Sequence, residues 1–237
     1  MKNIVVLSFT FLSLISCAKR NDNNTYINPP AQQLDTTTHK TYLALGDSYT
    51  IGQSVDASQR FPVQTAELLK QQNINVSNPG IIAVTGWTTS NLLDALNTTP
   101  PANNYDIVTL LIGVNNQYQG RSLNEYKVEF TELLRRSVLY AGGDKAHVFV
   151  ISIPDYSVTP YARGADTAKI AREIDSFNEA NKAITLNEGI AYVDVTPVSR
   201  EAKNDPSLIA GDGLHPSGQQ YEKWSELLAP VITKVIK

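Results

Sequence analysis

The chain has 237 residues, 42% of them hydrophobic and 18% charged, with a formal net charge of −3 at pH 7. That length and apolar content suit one domain with a sizeable core. The weak negative charge excludes the basic footprint that holds nucleic acid, and a lone cysteine, Cys17, excludes an internal disulfide framework.

At the amino-terminal end, Lys2 precedes an apolar stretch over residues 4–15. It is too short to span a bilayer as a helix and reads as an export signal. The sequence Leu14-Ile15-Ser16-Cys17 resembles the lipobox of bacterial lipoproteins. The resemblance implies removal of residues 1–16 and acylation of Cys17, which would tether the protein to a membrane of the cell envelope, at the outer membrane or a periplasmic face. An ordinary secretory signal with an incidental cysteine is the alternative. Residues 17–39 are polar, carry Pro29-Pro30 and show no period, so they read as a flexible tether.

The domain is expected over residues 40–237. Residues 42–46 form a short apolar run ending in Gly46, which predicts a buried strand with Asp47 and Ser48 at its carboxyl end. Helical spacing of Phe61, Ala66, Leu68 and Leu69 predicts a helix over 61–72, with Pro62 in its first turn. Residues 74–76 read as a second strand, and 81–84 as an apolar run broken at Thr85-Gly86-Trp87. Thr88 or Thr89 then caps a helix through Leu96. Residues 106–112 give the clearest buried strand, stopping at Gly113. A long amphipathic helix follows over 123–140, buried through Tyr126, Phe130, Leu133, Leu134 and Val138. Strands over 147–153 and 190–195 flank a helix over 166–187, and a closing helix over 217–237 is expected to be interrupted by Pro230. The alternation predicts an α/β fold: a flavodoxin-like three-layer α/β/α sandwich around a five-stranded parallel sheet. Its first and third strands flank the switch point, so the loops after Gly46 and Gly113 share a crevice.

A nucleophilic serine needs a base, and the base needs a group to orient it. Of the three histidines, His39 lies in the tether and His147 starts a strand, where a structural role is the better reading. His215 stands in a glycine-bracketed loop, three residues after Asp212, a spacing that lets one turn present carboxylate and imidazole together. Acyl transfer also needs donors where charge develops on the carbonyl oxygen. Asn115, after the third strand, and the backbone of Gly86 offer them. Read singly, each piece has a plainer explanation: Asp47 or Ser48 as a helix cap, Asn115 and Asp212 as turn residues, Gly86 as a helix entry. All four occur together, each in a loop after an apolar run.

The chain thereby resembles the SGNH hydrolases, the GDSL esterase/lipase superfamily, from Tyr42 to the last helix. Gly46-Asp47-Ser48 resembles the nucleophile block, Gly86 the second-block glycine, Gly113-Val114-Asn115 the third block and Asp212-Gly213-Leu214-His215 the D-x-x-H block. The resemblance implies Ser48 as nucleophile, His215 as base and Asp212 as its orienter. It implies an oxyanion hole from the N–H groups of Ser48 and Gly86 and the Asn115 amide. Asn116 departs from the aspartate usual at that place. No metal site or cofactor is expected. Tyr49, Trp87 and Tyr118, with Tyr156 and Tyr161 nearby, are candidate substrate-binding rings, whose polar tips suit a sugar or aryl group. The expected function is hydrolysis of a carboxylic ester, with acetyl esters of glycans as one substrate class. A lipase or lysophospholipase, and a glycan-binding surface lipoprotein without catalysis, are the alternatives.

Overall fold

The computed structural model describes residues 39–237; the signal and lipidation readings, including Cys17, lie outside the described residues. Five strands, β1 (Tyr42–Gly46), β2 (Gly80–Ala83), β3 (Ile107–Leu111), β4 (Val148–Ile151) and β5 (Ala191–Val193), form one sheet in the order β2-β1-β3-β4-β5. Every pairing is parallel. The helices are α1 (Ser48–Ile51), α2 (Phe61–Gln71), α3 (Thr89–Thr98), α4 (Val114–Tyr118), α5 (Leu123–Tyr140), α6 (Thr167–Asn187), α7 (Thr196–Glu201) and α8 (Gly218–Thr233). The expected flavodoxin-like order is the one found.

Strands β1, β3 and β4 are buried along their whole length, which their continuous apolar runs require of a sheet covered on both faces. The chain steps from β1 to β2 in one direction and from β2 across to β3 in the other. Right-handed crossovers therefore put α2 on one face and α3, α5 and α6 on the opposite one. α8 packs on α2, while α5 packs on both α3 and α6. The start of β1 is stapled to the start of β3: Asp106 accepts from the backbone N–H of Thr41 at 2.8 Å and its hydroxyl at 2.9 Å, beside Lys40.

Two local expectations are corrected. The second strand is Gly80–Ala83 rather than 74–76; Val76 makes only an isolated parallel bridge to Lys40, and the chain continues in the same direction along β1 from Gly80. The closing helix runs through Pro230 without a break. Buried Trp224, Leu228, Ala229 and Ile232 fasten it on both sides of the proline, so packing offsets the missing hydrogen bond. The stretch after β5, for which no element was expected, holds the short helix α7, with Pro197 in its first turn.

Gly46, just before the turn that carries Ser48, lies tight against β3. A side-chain carbon there would run into the Thr50 hydroxyl and the Leu111 carbonyl oxygen. Gly46→Ala is therefore expected to lower the thermal midpoint by roughly 5 °C or more, as overpacking of a rigid core does; a melting curve by circular dichroism checks it.

Candidate active site

The sheet register decides which loops meet. Gly46 lies opposite Ala83 on β2 and Leu111 on β3, so the carboxyl ends of these three strands emerge side by side. The segments that follow carry Ser48, Gly86 and Asn115. The fourth segment comes from far along the chain. Residues 209–216 form a loop closed by an antiparallel bridge between Ile209 and Pro216 and by Ala210 N–H donating to His215 O at 2.8 Å. Gly213, at φ +74°, makes the turn between Asp212 and His215. Together the four segments line one cleft of about 130 Å³, walled by Ser48, Gly86, Asn115 and His215 with Tyr49, Tyr118, Tyr156 and Tyr161 among its other residues.

Ser48 is the first residue of α1, and Asp47 caps that turn by accepting from the Tyr49 N–H at 3.0 Å. The capping reading and the nucleophile reading are thus both available, for adjacent residues. Asp47 is fully buried and its Oδ2 has no hydrogen-bond partner. Burial pushes its carboxyl up to about 7, against the pull of the Tyr49 N–H.

Asp212 is saturated with donors. Its Oδ1 accepts from the N–H groups of Leu214 at 2.9 Å and His215 at 3.0 Å. Its Oδ2 faces His215 Nδ1 at 2.6 Å and accepts from the Ser54 hydroxyl at 2.7 Å. Desolvation alone would raise this carboxyl; the bonds from His215, Ser54 and the two backbone groups outweigh it and hold it well below the ordinary carboxylate range. An ionised Asp212 fixes the imidazole with its proton on Nδ1, which leaves Nε2 as the acceptor. The imidazole is itself buried, with the Tyr49 ring edge-on at 5.6 Å.

The Asn115 amide donates one N–H to the Trp87 carbonyl at 2.9 Å, which ties the loop after β3 to the loop after β2 and leaves the second N–H. Asn116, at the position that departs from the family pattern, does the same one step deeper. Its Oδ1 accepts from Thr89 N–H at 3.0 Å and its Nδ2 donates to the Thr89 hydroxyl at 2.6 Å, while that hydroxyl donates to Glu129. An amide supplies both a donor and an acceptor here, whereas an ionised aspartate would face the threonine hydroxyl as a second acceptor. Gly86 lies exposed at φ +85°, with open space where a side chain would stand, so its requirement is conformational rather than steric.

Of the rings singled out in the sequence, Tyr49 and Tyr118 line the cleft and Trp87 does not. The Trp87 side chain packs against the core, and its part in the site is its carbonyl. His147 is where a structural role was expected, 3.8 Å from Asp144 beside β4. Sequence reasoning missed Ser54, which reaches Asp212 across 158 residues of chain with no local signal. It also missed Gln53, whose Oε1 accepts from the Thr85 hydroxyl at 2.7 Å. Among the described residues no group of three or more His, Cys, Asp or Glu is arranged to hold a metal ion.

The raised Asp47 carboxyl has a consequence for stability. In the unfolded chain this group ionises near the usual value of about 4, but in the fold only near 7. Between those values ionisation favours the unfolded state, so stability present below about pH 4 is lost as pH rises to about 7. Relative to Asp47→Asn, the protein is expected to lose up to ~4 kcal/mol across that window. Urea denaturation of both at pH 4.5 and 7.5 reads this directly; parallel pH dependences would contradict it.

A family model for the GDSL-like lipase/acylhydrolase family matches residues 44–223. No curated protein sequence matches the chain at a significant level. Among solved structures, a lipase from a goat-rumen metagenome is 20% identical, at TM-score 0.66 over 81% of this chain and 97% of that one. TesA is 18% identical, at TM-score 0.59 over 82% of this chain and 99% of that one. The acetylxylan esterase Axe2 of Geobacillus stearothermophilus is 19% identical, at TM-score 0.58 over 83% and 94%. At such identities these structures share the fold. The family match spans all four segments that build the cleft, and on it the chain belongs to the GDSL-like lipase/acylhydrolase family.

Proposed function

We propose that the protein is a serine esterase that cleaves carboxylic esters through an acyl-enzyme. Ser48 Oγ attacks the ester carbonyl while His215 Nε2 takes its proton. The Ser48 and Gly86 N–H groups and the free Asn115 amide N–H receive the oxyanion. His215 returns the proton to the leaving alcohol; water, deprotonated by the same imidazole, then releases the acid and restores the serine. Asp212 stays ionised throughout and stabilises the imidazolium. The observation that carries this reading is the single cleft onto which Ser48, Gly86, Asn115 and His215 all open, with Asp212 held at 2.6 Å from His215 Nδ1.

The finer parts of the proposal concern the two halves of the ester. A cleft of about 130 Å³ has room for a short acyl group, whereas most of a fatty chain would remain in solvent. On the alcohol side, Tyr118 and Tyr161 stand 57% and 49% exposed, their hydroxyls 2.6 Å apart and their rings tilted by 48° at 6.2 Å. Behind them Tyr156 donates to Gln117 at 3.0 Å, which anchors the cluster. Fixed rings with apolar faces and polar tips suit the faces of a sugar ring. None of the described residues lining the cleft is Lys or Arg, as an anionic headgroup would call for. An acetylated saccharide is therefore our preferred substrate over a phospholipid, and the fold is shared with an acetylxylan esterase. From its lipobox-like sequence we further propose that Cys17 anchors the enzyme in the cell envelope; Cys17→Ala released from the membrane fraction is the expected outcome.

With p-nitrophenyl acetate, Ser48→Ala is expected to lose at least about a thousandfold in kcat, and Asn115→Ala about a hundredfold. Turnover of p-nitrophenyl esters should fall from acetate through butyrate to palmitate. A wild-type protein that turns over no ester while binding an oligosaccharide would establish the non-catalytic reading instead. Tyr118→Ala is expected to lower kcat/KM for xylose tetraacetate about fivefold more than for ethyl acetate, which has no ring to stack.

A further inference from the structure

Four groups donate to Asp212, and three of them belong to its own loop: the N–H groups of Leu214 and His215, and the His215 ring. The fourth is the Ser54 hydroxyl, three residues past the end of the helix that begins with Ser48. It binds Oδ2, the oxygen that also faces His215 Nδ1. The segment carrying Ser54 is itself tied to the nucleophile, since Gln53 N–H donates to the Ser48 carbonyl at 3.0 Å. Ser54 thus makes a direct hydrogen bond from the nucleophile's segment to the acid of the acid–base loop.

The backbone at this residue adds an independent observation. Ser54 has φ +66°, one of two non-glycine residues among those described with a positive value. A side chain in that conformation is strained, and glycine would avoid the strain. The serine is held there in an exposed loop, with its hydroxyl 2.7 Å from Asp212 Oδ2.

From this geometry we infer that Ser54 is a positioning residue of the reaction, acting through Asp212; the inference rests on the esterase reading above. Its hydroxyl fixes the carboxylate relative to the nucleophile turn, so that the imidazole is presented to Ser48 in one orientation. It also takes up part of the charge on Oδ2, which tempers how tightly the carboxylate holds the imidazolium.

The test compares Ser54→Gly with Ser54→Thr in the full chain, following p-nitrophenyl acetate hydrolysis across pH together with thermal stability. Glycine accepts φ +66° and deletes the hydroxyl. Its variant is expected to melt near the wild type yet lose about tenfold or more in kcat, the size of one hydrogen bond to a charged group, with KM little changed. The acid limb of its kcat/KM profile should move to higher pH, because the relieved carboxylate holds the imidazolium more tightly. Threonine keeps the hydroxyl on a backbone it fits poorly, so that variant should melt lower while retaining most of the turnover. Gln53→Ala removes the adjacent bond to Thr85 and should leave the acid limb where it is.

A Ser54→Gly enzyme with wild-type kcat and pH profile would overturn the inference. So would activity that follows stability through both variants, or an equal shift of the acid limb in Gln53→Ala. Failure of the underlying reading looks different: Ser48→Ala would then turn over substrate as the wild type does.

Discussion

The structure depends on one register. Gly46, Ala83 and Leu111 lie side by side at the carboxyl edge of the sheet, at the point where the chain reverses its direction of travel across the strands. In an open parallel sheet this is where loops diverge to opposite faces and leave a crevice. Gly46 is what permits the closeness, since a side chain there would run into the Thr50 hydroxyl and the Leu111 carbonyl. Slip the pairing by one residue and Ser48 would no longer share a rim with Gly86 and Asn115.

The four segments are then locked to one another by side-chain amides and hydroxyls. Asn115 holds Trp87 and Asn116 holds Thr89, so the loop after β3 carries the loop after β2 with it. Gln53 and Ser54 reach outward from the segment after Ser48 to Thr85 on one side and Asp212 on the other. The loop over 209–216 keeps its own internal geometry through its closing bridge and the two backbone donors to Asp212. The walls of the cleft are thus held by bonds that cross between segments.

The electrostatics divide two carboxylates in one site. Asp212, partly exposed and surrounded by donors, is held ionised, while Asp47, sealed beneath the turn that carries Ser48 with one oxygen unpartnered, is pushed toward neutrality. The same residue type serves as a permanent anion beside the imidazole and as a buried cap under the serine. Solvent and donor count, rather than sequence, separate them.

The alternation of apolar runs and helical periods is a local property, and it was enough to determine the α/β class, the strand order and the strand ends after which Ser48 and Asn115 stand; those two residues prove to lie in the short helices α1 and α4 rather than in loops. Asp212 and His215 were legible as a pair because three residues of one turn suffice to join them. Strand β2 was misplaced because Gly80 opens it, and glycine argues against a strand until a neighbour's register demands one. Pro230 was read as a break because a missing hydrogen bond is visible in sequence, while the packing that outweighs it is not. Ser54 carried no local mark at all, and Trp87 looked like a binding ring until its carbonyl proved to be the part facing Asn115. Spacing along the chain encodes what each segment prefers to be; which side chains touch across 158 residues is set only when the sheet brings distant loops to the same edge.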